Sequence, residues 1–260
     1  GMAMKNILKI MLMMITIFTI AGSAVYAAEI PVSDQDQLIT SSDWTEVSNL
    51  QDEMKKEEPD ATIDYDKALK VYVDCNLIKL QTADTKKLTS ALESANYVWV
   101  IPFKMEKTYG MFTVAKGLPL SEEAKSVLTK AEQEEVKNHA GKWMITETAE
   151  HTVEPYYDIL LEKREALSDC TRVVLVGSQP GMRQPVALGM DDETARIWIS
   201  LGYQYPVMKK IPETQNVESG VYSFDSVAEI SDTYIEDSEV STGAGVQSRS
   251  SMKYVAGIGI

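Results

Sequence analysis

The sequence predicts an α+β fold, built on a largely antiparallel sheet with helices on one face. Two pairs of segments rich in β-branched and aromatic residues are adjacent in the chain, 96–103 with 109–116 and 171–179 with 184–190. Short turns separate the members of each pair, so each pair is expected to form an antiparallel hairpin. Single amphipathic helices separate the hairpins, and this alternation is typical of the α+β class.

The helices are predicted from apolar residues that recur at intervals of three and four positions. Side chains that cap helices precede these runs and mark where each helix begins. We expect helices over 41–58, from Asp84 to about 95, over 121–138, and from Thr152 to about 167, with further strands at 68–74, 142–149 and 194–203.

The order of these elements repeats. Residues 70–116 are expected to run strand, helix, strand, strand, and residues 142–190 to do the same, with the helix of 121–138 between them. This echo predicts two βαββ halves that arose by duplication. The alternative is coincidence, because α+β domains often alternate in this way.

The first 27 residues have the three parts of a secretory signal peptide. Lys5 and Lys9 form a positive start, residues 10–20 are almost entirely apolar, and Val25 and Ala27 are small residues at positions −3 and −1 of a cut before Ala28. The alternative is an uncleaved anchor, since the apolar run is just long enough to span a membrane. Gly1 before Met2 is interpreted as a remnant of an expression system.

The rest of the chain is divided by composition. Residues 28–40 are expected to be irregular, 41–211 to form the α+β globular domain, and 212–251 to form an acidic Ser/Thr-rich tail or stalk. Within that tail, 221–230 has the pattern of an edge strand, which is the alternative to disorder. The apolar end, 252–260, is too short to span a bilayer, but it is typical of the beginning of a truncated membrane span.

The charge of the chain excludes some partners. It carries 25 Lys and Arg against 39 Asp and Glu, and removal of residues 1–27 leaves a net charge of −16 because Lys5 and Lys9 are lost. Such a surface repels nucleic acid and anionic lipid. Contact with a membrane is therefore expected only through a C-terminal anchor.

The two cysteines, Cys75 and Cys170, are a candidate disulfide because an exported chain with an even number of cysteines favours one. The alternative is a pair of buried thiols that pack as small apolar side chains.

No catalytic, cofactor-binding or metal-binding residue is assigned from the sequence. The histidines, His139 and His151, lack ligand partners at zinc-site spacing. Glu147, Glu150 and Glu154 are close in sequence, but acids before a helix are explained by the helix dipole. No phosphate loop or dinucleotide motif occurs, so no cofactor is expected.

Four tyrosines are the candidate binding-surface residues. Tyr203 and Tyr205 follow the last strong strand, while Tyr156 and Tyr157 begin a helix. Tyrosines beside loops are common in binding surfaces. The alternative is packing of amphipathic rings at the margin of the core.

These patterns predict an exported bacterial protein, secreted or attached to the cell surface. The expected function is a non-catalytic extracytoplasmic module that binds a ligand, an envelope component or a partner protein. The alternative is a secreted hydrolase whose active-site residues are scattered through the sequence.

The signal peptide generates the first testable prediction. Secretion from a bacterial host should yield a mature chain that begins at Ala28, because signal peptidase cuts after small residues at −3 and −1. N-terminal sequencing of the secreted protein measures this directly. A mature protein that still begins at Met2 would contradict the prediction.

Overall fold

The computed structural model describes residues 29–177, 179, 182, 184–203 and 205–239. Within this part of the chain nine strands form one sheet. The strands are β1 (Thr62–Ile63), β2 (Leu69–Tyr72), β3 (Tyr97–Lys104), β4 (Tyr109–Lys116), β5 (Trp143–Thr152), β6 (Arg172–Val176), β7 (Val186–Met190), β8 (Ala195–Ser200) and β9 (Val221–Ser223).

The sheet consists of two antiparallel blocks that meet at one parallel strand pair. The order is β5-β4-β3-β2-β6-β7-β8-β9, with β1 beside β3. The pairing of β2 with β6 is parallel, and the remaining pairs within the described strands are antiparallel. The predicted α+β class with a largely antiparallel sheet is therefore confirmed, as are both hairpins, β3–β4 and β6–β7.

The helices pack on both faces of the sheet rather than on one. They are α1 (Trp44–Val47), α2 (Gln51–Glu57), α3 (Thr85–Glu93), α4 (Glu122–Val127), α5 (Lys130–His139), α6 (Tyr156–Glu162) and α7 (Phe224–Glu239). Short 3-10 turns lie at Asp34–Asp36, Leu38–Thr40, Ser48–Leu50, Tyr65–Lys67, Ile78–Leu80, Pro206–Lys210 and Glu213–Gln215.

The placement of helices on both faces follows from the alternation of side chains along each strand. Val98 and Val100 of β3 belong to the core that α6 covers. Trp99 and Ile101 point to the opposite face, where they pack with α1 and α2. On that same face, α3 and α7 cover the strands of the second block. Because both faces carry large apolar side chains, helices on one face alone would leave the other exposed.

The helix expected over 121–138 is two helices. Leu128 and Thr129 have extended backbone between α4 and α5. The Thr129 hydroxyl accepts a hydrogen bond from the Glu132 amide at 3.2 Å, and the Glu132 carboxylate accepts one from the Thr129 amide at 3.1 Å. This reciprocal capping begins a new helix where the apolar spacing predicted continuation.

Residues beyond the predicted domain limits at 41 and 211 pack on the same core. At the start, Ile30, Asp36 and Leu38 are buried, and the Val173 amide donates to the carbonyl of Pro31 at 2.8 Å. At the end, β9 pairs with β8, and Phe224 and Val227 of α7 are buried in the core. Residues 221–230, expected within an acidic stalk, thus contribute a strand and the start of a helix.

The two βαββ halves share an order of elements but differ in strand pairing. In the first half β2 pairs with β3. In the second half β5 pairs with β4 of the first, while β6 pairs with β2 and β7. Duplication stays a prediction.

Several predicted segments lie outside the described residues. They are the signal peptide of 1–27, the end of the stalk from residue 240, and the apolar end of 252–260. Within the described part, no helix combines the length and apolar character that crossing a membrane requires.

The predicted disulfide is not formed, because Cys75 and Cys170 are both free thiols. Cys170 packs with the core under α6, whereas Cys75 packs with the core of the opposite face. The sheet therefore lies between them. Burial raises the pKa of the Cys170 thiol to about 11 and also raises the pKa of Cys75.

A buried carboxylate ties the N-terminal segment to the junction of the two blocks. Asp36 is 2% exposed. Its Oδ2 accepts hydrogen bonds from Nε and Nη2 of Arg172 on β6, at 3.1 and 2.9 Å. Its Oδ1 accepts one from the Tyr72 hydroxyl on β2 at 2.7 Å, and Ser33 Oγ donates to Oδ2 at 2.6 Å. One side chain thus joins both strands of the parallel pair.

Replacement of this carboxylate should be costly. Asp36→Ala leaves the Arg172 guanidinium without its counter-charge, and removal of one partner from a buried pair costs about 3 kcal/mol. We expect the free energy of unfolding in urea to fall by about that amount. The exposed Asp34→Ala is the matched control, with an expected change below about 0.5 kcal/mol. Equal losses in the two variants would show that the Asp36 pair contributes nothing particular.

Candidate functional site

A cavity of about 900 Å³ lies between α6 and the chain that follows β8. One wall comes from residues just before and within α6, including Val153 and Ile159. The other wall comes from residues 200–222, in which Met208 and Ile211 supply apolar surface. This volume is within the range of small-molecule sites in proteins.

Two glycines allow the chain between β8 and β9 to turn back on itself. Gly202 has a φ of 80°, and a Cβ at that position would meet Val153 Cγ1 at 2.8 Å. Gly220 has a φ of 73° and precedes β9. Between them, the 3-10 turn of Pro206–Lys210 buries Val207 and Met208 in the core. The glycines let the backbone turn closely over the start of α6, and the buried turn fixes the cavity wall.

Two of the four predicted tyrosines line this cavity. Tyr203 and Tyr205 have ring centroids 6.5 Å apart with an interplanar angle of 47°. The Tyr205 hydroxyl donates to the Pro185 carbonyl at 2.6 Å. Tyr156 is buried, and its pKa is raised first by burial and then by the nearby Tyr203. Tyr157 is half-buried in the core under α6, so for this residue the alternative of core packing fits better.

A pair of carboxyl groups at the ends of α6 also lines the cavity. Glu154 precedes the helix and Glu162 ends it, and the two carboxyls are close enough to repel each other. The pKa of Glu154 is raised, first by burial and then by repulsion from Glu162 and Asp158, while Lys67 opposes the rise. Asp158 is itself paired with Lys67 at 2.9 Å.

The lysines of the cavity differ in their partners. Lys163 Nζ donates to the Ser219 carbonyl at 2.9 Å and lies 3.8 Å from the Glu218 carboxylate. Lys209 lines the same cavity and has no ion pair within the described part of the chain. The first lysine is therefore structural, because it holds the loop before β9 against α6.

Asn216 contributes an acceptor without a donor. Its side chain lines the cavity, and its Oδ1 is a fully buried atom with no hydrogen-bond partner among the described residues. Buried acceptors are nearly always satisfied in folded proteins, since an unpaired one costs free energy.

The acids that are close in sequence do not form one cluster. Glu150 on β5 lies near Glu58, whose pKa is raised first by burial and then by Glu150. Glu147 lies near Tyr156, and Glu154 lies near Glu162. Neighbouring residues of a strand point to opposite faces, so Glu147 and Glu150 on β5 have different neighbours. Glu154 lies beyond the end of this strand.

The histidines lie outside the cavity. His139 ends α5 with Nδ1 at 2.9 Å from the Glu135 carbonyl, and His151 is exposed with Nε2 at 4.0 Å from Glu150. Among the described residues, no group of three or more histidine, cysteine or acidic side chains is arranged to hold a metal ion. A smaller cavity of about 300 Å³ is lined by Tyr97, Lys116 and Trp143 at the other end of the sheet.

The sequence did not identify several residues of this site. Lys209 lies inside the predicted domain but in no motif, and Asn216 lies in the segment assigned to the stalk. Glu162 is eight positions from Glu154, a separation that gives no signal until the helix places the two side chains together. No family model, curated protein or solved structure matches the chain.

The carboxyl pair predicts a pH-dependent effect on stability. Because the pKa of Glu154 is raised in the folded protein, folding is favoured below that pKa and this contribution is lost as the pH rises through it. Glu154→Gln should therefore raise the free energy of unfolding at pH 7, by less than about 1 kcal/mol for a solvent-screened pair. At about pH 3.5 the two proteins should be equally stable, since the carboxyl is then largely protonated.

Urea denaturation at the two pH values measures this difference in the free energy of unfolding. The control is Glu165→Gln, which removes an exposed acid just after α6. A loss of stability at pH 7 in Glu154→Gln would contradict the interpretation that the pair is repulsive.

Proposed function

We propose that the protein is a non-catalytic extracytoplasmic binding module, and that the cavity beside α6 holds its ligand. The observation that carries this proposal is the cavity itself, of about 900 Å³, whose lining combines aliphatic residues and tyrosines with polar and charged residues. This combination is typical of small-molecule sites, in which polar groups fix the orientation of a largely apolar body.

The tyrosines support binding. Tyr203 offers a ring face and a hydroxyl, so it can contact both the apolar and the polar parts of a ligand. Tyr205 lies beside it, is almost fully buried, and is fixed by the hydrogen bond from its hydroxyl to the Pro185 carbonyl. A site that is formed before the ligand arrives loses less entropy on binding.

The residues of the cavity favour binding over hydrolysis. Its lining contains no cysteine and no histidine within the described part of the chain, so it lacks the usual nucleophile and base. The alternative of a secreted hydrolase thus has less support from this arrangement.

The location is proposed from the sequence. The signal peptide of residues 1–27 directs export, and the acidic composition disfavours nucleic acid and anionic lipid as partners. The proposed setting is the outer side of the cell envelope, with the protein either secreted or attached to the surface.

A neutral probe tests the cavity. We expect 2-phenylethanol at millimolar concentration to shift the backbone amide resonances of residues 200–222 and of α6 in a saturable way. Ser219→Trp should abolish these shifts, because residue 219 lines the cavity and an indole would fill part of it. Ser168→Trp, at an exposed position after α6, is the matched control and should bind as the wild type does.

Two outcomes would overturn the proposal. One is that no amide of the cavity responds to the probe. The other is that Ser219→Trp and Ser168→Trp respond alike, which would place the probe elsewhere on the surface.

A further inference from the structure

We infer that the smaller cavity, at the end of the sheet where β3 and β5 begin, is a second binding site that takes a carboxylate on a small aromatic body. This inference goes beyond the proposed function and does not depend on the cavity beside α6. It follows from the aromatic residues that line the smaller cavity, from the lysine beside them, and from the charge of the lining.

Neighbouring positions on three strands bring the aromatic residues and the lysine together. Lys116 on β4 is directly opposite Trp143 on β5. Val98 on β3 pairs with Ala115 on β4, so Tyr97 is opposite Lys116 at the next position of this antiparallel pair. Side chains at opposite positions lie on the same face of a sheet. Tyr97, Lys116 and Trp143 therefore form one row across the three strands.

The aromatic wall of the smaller cavity is fixed before any ligand binds. The rings of Tyr97 and Trp143 have centroids 6.1 Å apart and an interplanar angle of 44°. The Tyr97 hydroxyl donates to Asp43 Oδ2 at 2.7 Å, and Lys70 Nζ lies 4.1 Å from the centroid of the Tyr97 ring. Trp143 is anchored in the core that α1 and α2 cover. These rings therefore need little further ordering when a ligand binds.

A second wall comes from the chain that leaves the sheet toward α4 and returns from α5. Gly117, Leu118 and Pro119 follow β4, and Gly141 precedes β5. The Gly117 amide donates to the Lys142 carbonyl at 2.9 Å, and the Gly141 amide donates to the Gly117 carbonyl at 2.8 Å. These hydrogen bonds hold the two chain segments together, so the backbone of this wall is also fixed.

The charge of the lining is positive. Among the described residues that line this cavity, Lys116 is the only charged one. Its side chain is exposed and has no ion pair within the described part of the chain, and its Nζ lies 5.9 Å from the centroid of the Trp143 ring. The cavity beside α6, by contrast, is lined by several glutamates. In a protein of net charge −14, the smaller cavity is thus a local site for an anion.

The chemistry of the lysine selects a carboxylate. An ammonium has three N–H donors and no acceptor, so it needs an acceptor as its partner. Hydrogen bonds between an ammonium and a carboxylate are about twice as strong as neutral ones. Because the described lining holds one lysine and no arginine, it matches a single negative charge better than the double charge of a phosphate.

The rest of the lining selects a single aromatic ring. The volume, about 300 Å³, is at the lower end of the range for small-molecule sites, so it favours a compact body. Tyr97 and Trp143 would contact a third ring in the offset or edge-to-face arrangements that aromatic groups prefer. Leu118 and Pro119 supply apolar surface that the same ring would remove from water.

The test compares three probes that separate the ring from the charge. Benzoate carries both, benzyl alcohol carries the ring without the charge, and acetate carries the charge without the ring. Binding is titrated by NMR from the backbone amide shifts of residues 95–97, 116–118 and 141–143. Lys116→Met removes the charge and keeps an unbranched side chain. Lys104→Met is the matched control, since Lys104 is exposed at the end of β3 and lies 6.0 Å from the Tyr109 ring.

We expect the wild type to bind benzoate about tenfold more tightly than either benzyl alcohol or acetate. Lys116→Met should bind benzoate and benzyl alcohol alike, whereas Lys104→Met should bind as the wild type does. The preference for benzoate over benzyl alcohol should shrink between about 50 mM and about 500 mM NaCl, because salt screens an exposed charge.

A pair of tryptophan variants locates the site. Pro119→Trp should abolish the binding of benzoate, because residue 119 is exposed and lines the cavity, and an indole would fill part of it. Pro59→Trp, at an exposed position after α2, is the control and should bind as the wild type does. Amide resonances outside the three segments show that each variant is folded.

Four outcomes would overturn the inference. The first is equal binding of benzoate and benzyl alcohol by the wild type, and the second is equal binding of benzoate and acetate. The third is a preference for benzoate that survives in Lys116→Met or is insensitive to salt. The fourth is that Pro119→Trp and Pro59→Trp respond to benzoate alike. Each of these results leaves the proposed function standing, since the cavity beside α6 is tested separately by Ser219→Trp.

Discussion

The fold depends on the junction between β2 and β6. These strands come from distant parts of the chain and pair in register at only two positions, Val71 with Leu175 and Tyr72 with Val176. Antiparallel hairpins on either side are held by local pairing, but nothing local brings the two blocks together. The Asp36 carboxylate supplies a connection, because it accepts hydrogen bonds from Tyr72 on one strand and Arg172 on the other.

An apolar cluster on the opposite face of the sheet also holds β2 and β6 together. There α6 covers a core that contains Leu69 and Val71 of β2 as well as Val173 and Leu175 of β6. Burial of this helix stabilises the junction in proportion to the apolar area that it removes from water. The same helix presents Ile159 and Glu162 to the cavity, and Glu154 lines the cavity just before the helix begins. The site is therefore built on an element that the junction holds rigid, and this favours precise placement of ligand groups.

Local features of the fold could be predicted from the sequence, while long-range ones could not. The β3–β4 and β6–β7 hairpins follow from alternating side chains and short turns, and the helix at Asp84 follows from its cap, which accepts a hydrogen bond from Lys87 at 3.0 Å. The β2–β6 pairing has no local signal. Composition was misleading at the C-terminal end of the fold, since the acids around Phe224 and Val227 hid two residues that are fully or almost fully buried.

The same distinction holds for the candidate site. Tyr203 and Tyr205 were predicted as binding residues because an aromatic pair after a strong strand is visible in sequence. Asn216 was not, because an orphaned acceptor exists only once the surrounding backbone is folded. The separation of Cys75 from Cys170 could not be predicted either, since which face each thiol occupies depends on the completed sheet.

The candidate site contains local arrangements that lower the stability of the fold. The Asp36 carboxylate is fully satisfied, since four hydrogen bonds reach it. Beside the cavity, by contrast, Glu154 and Glu162 are close enough to repel each other, and no ion pair within the described residues offsets this repulsion for Glu162. Natural sequences accept such local costs mainly at functional sites, where a ligand offsets them.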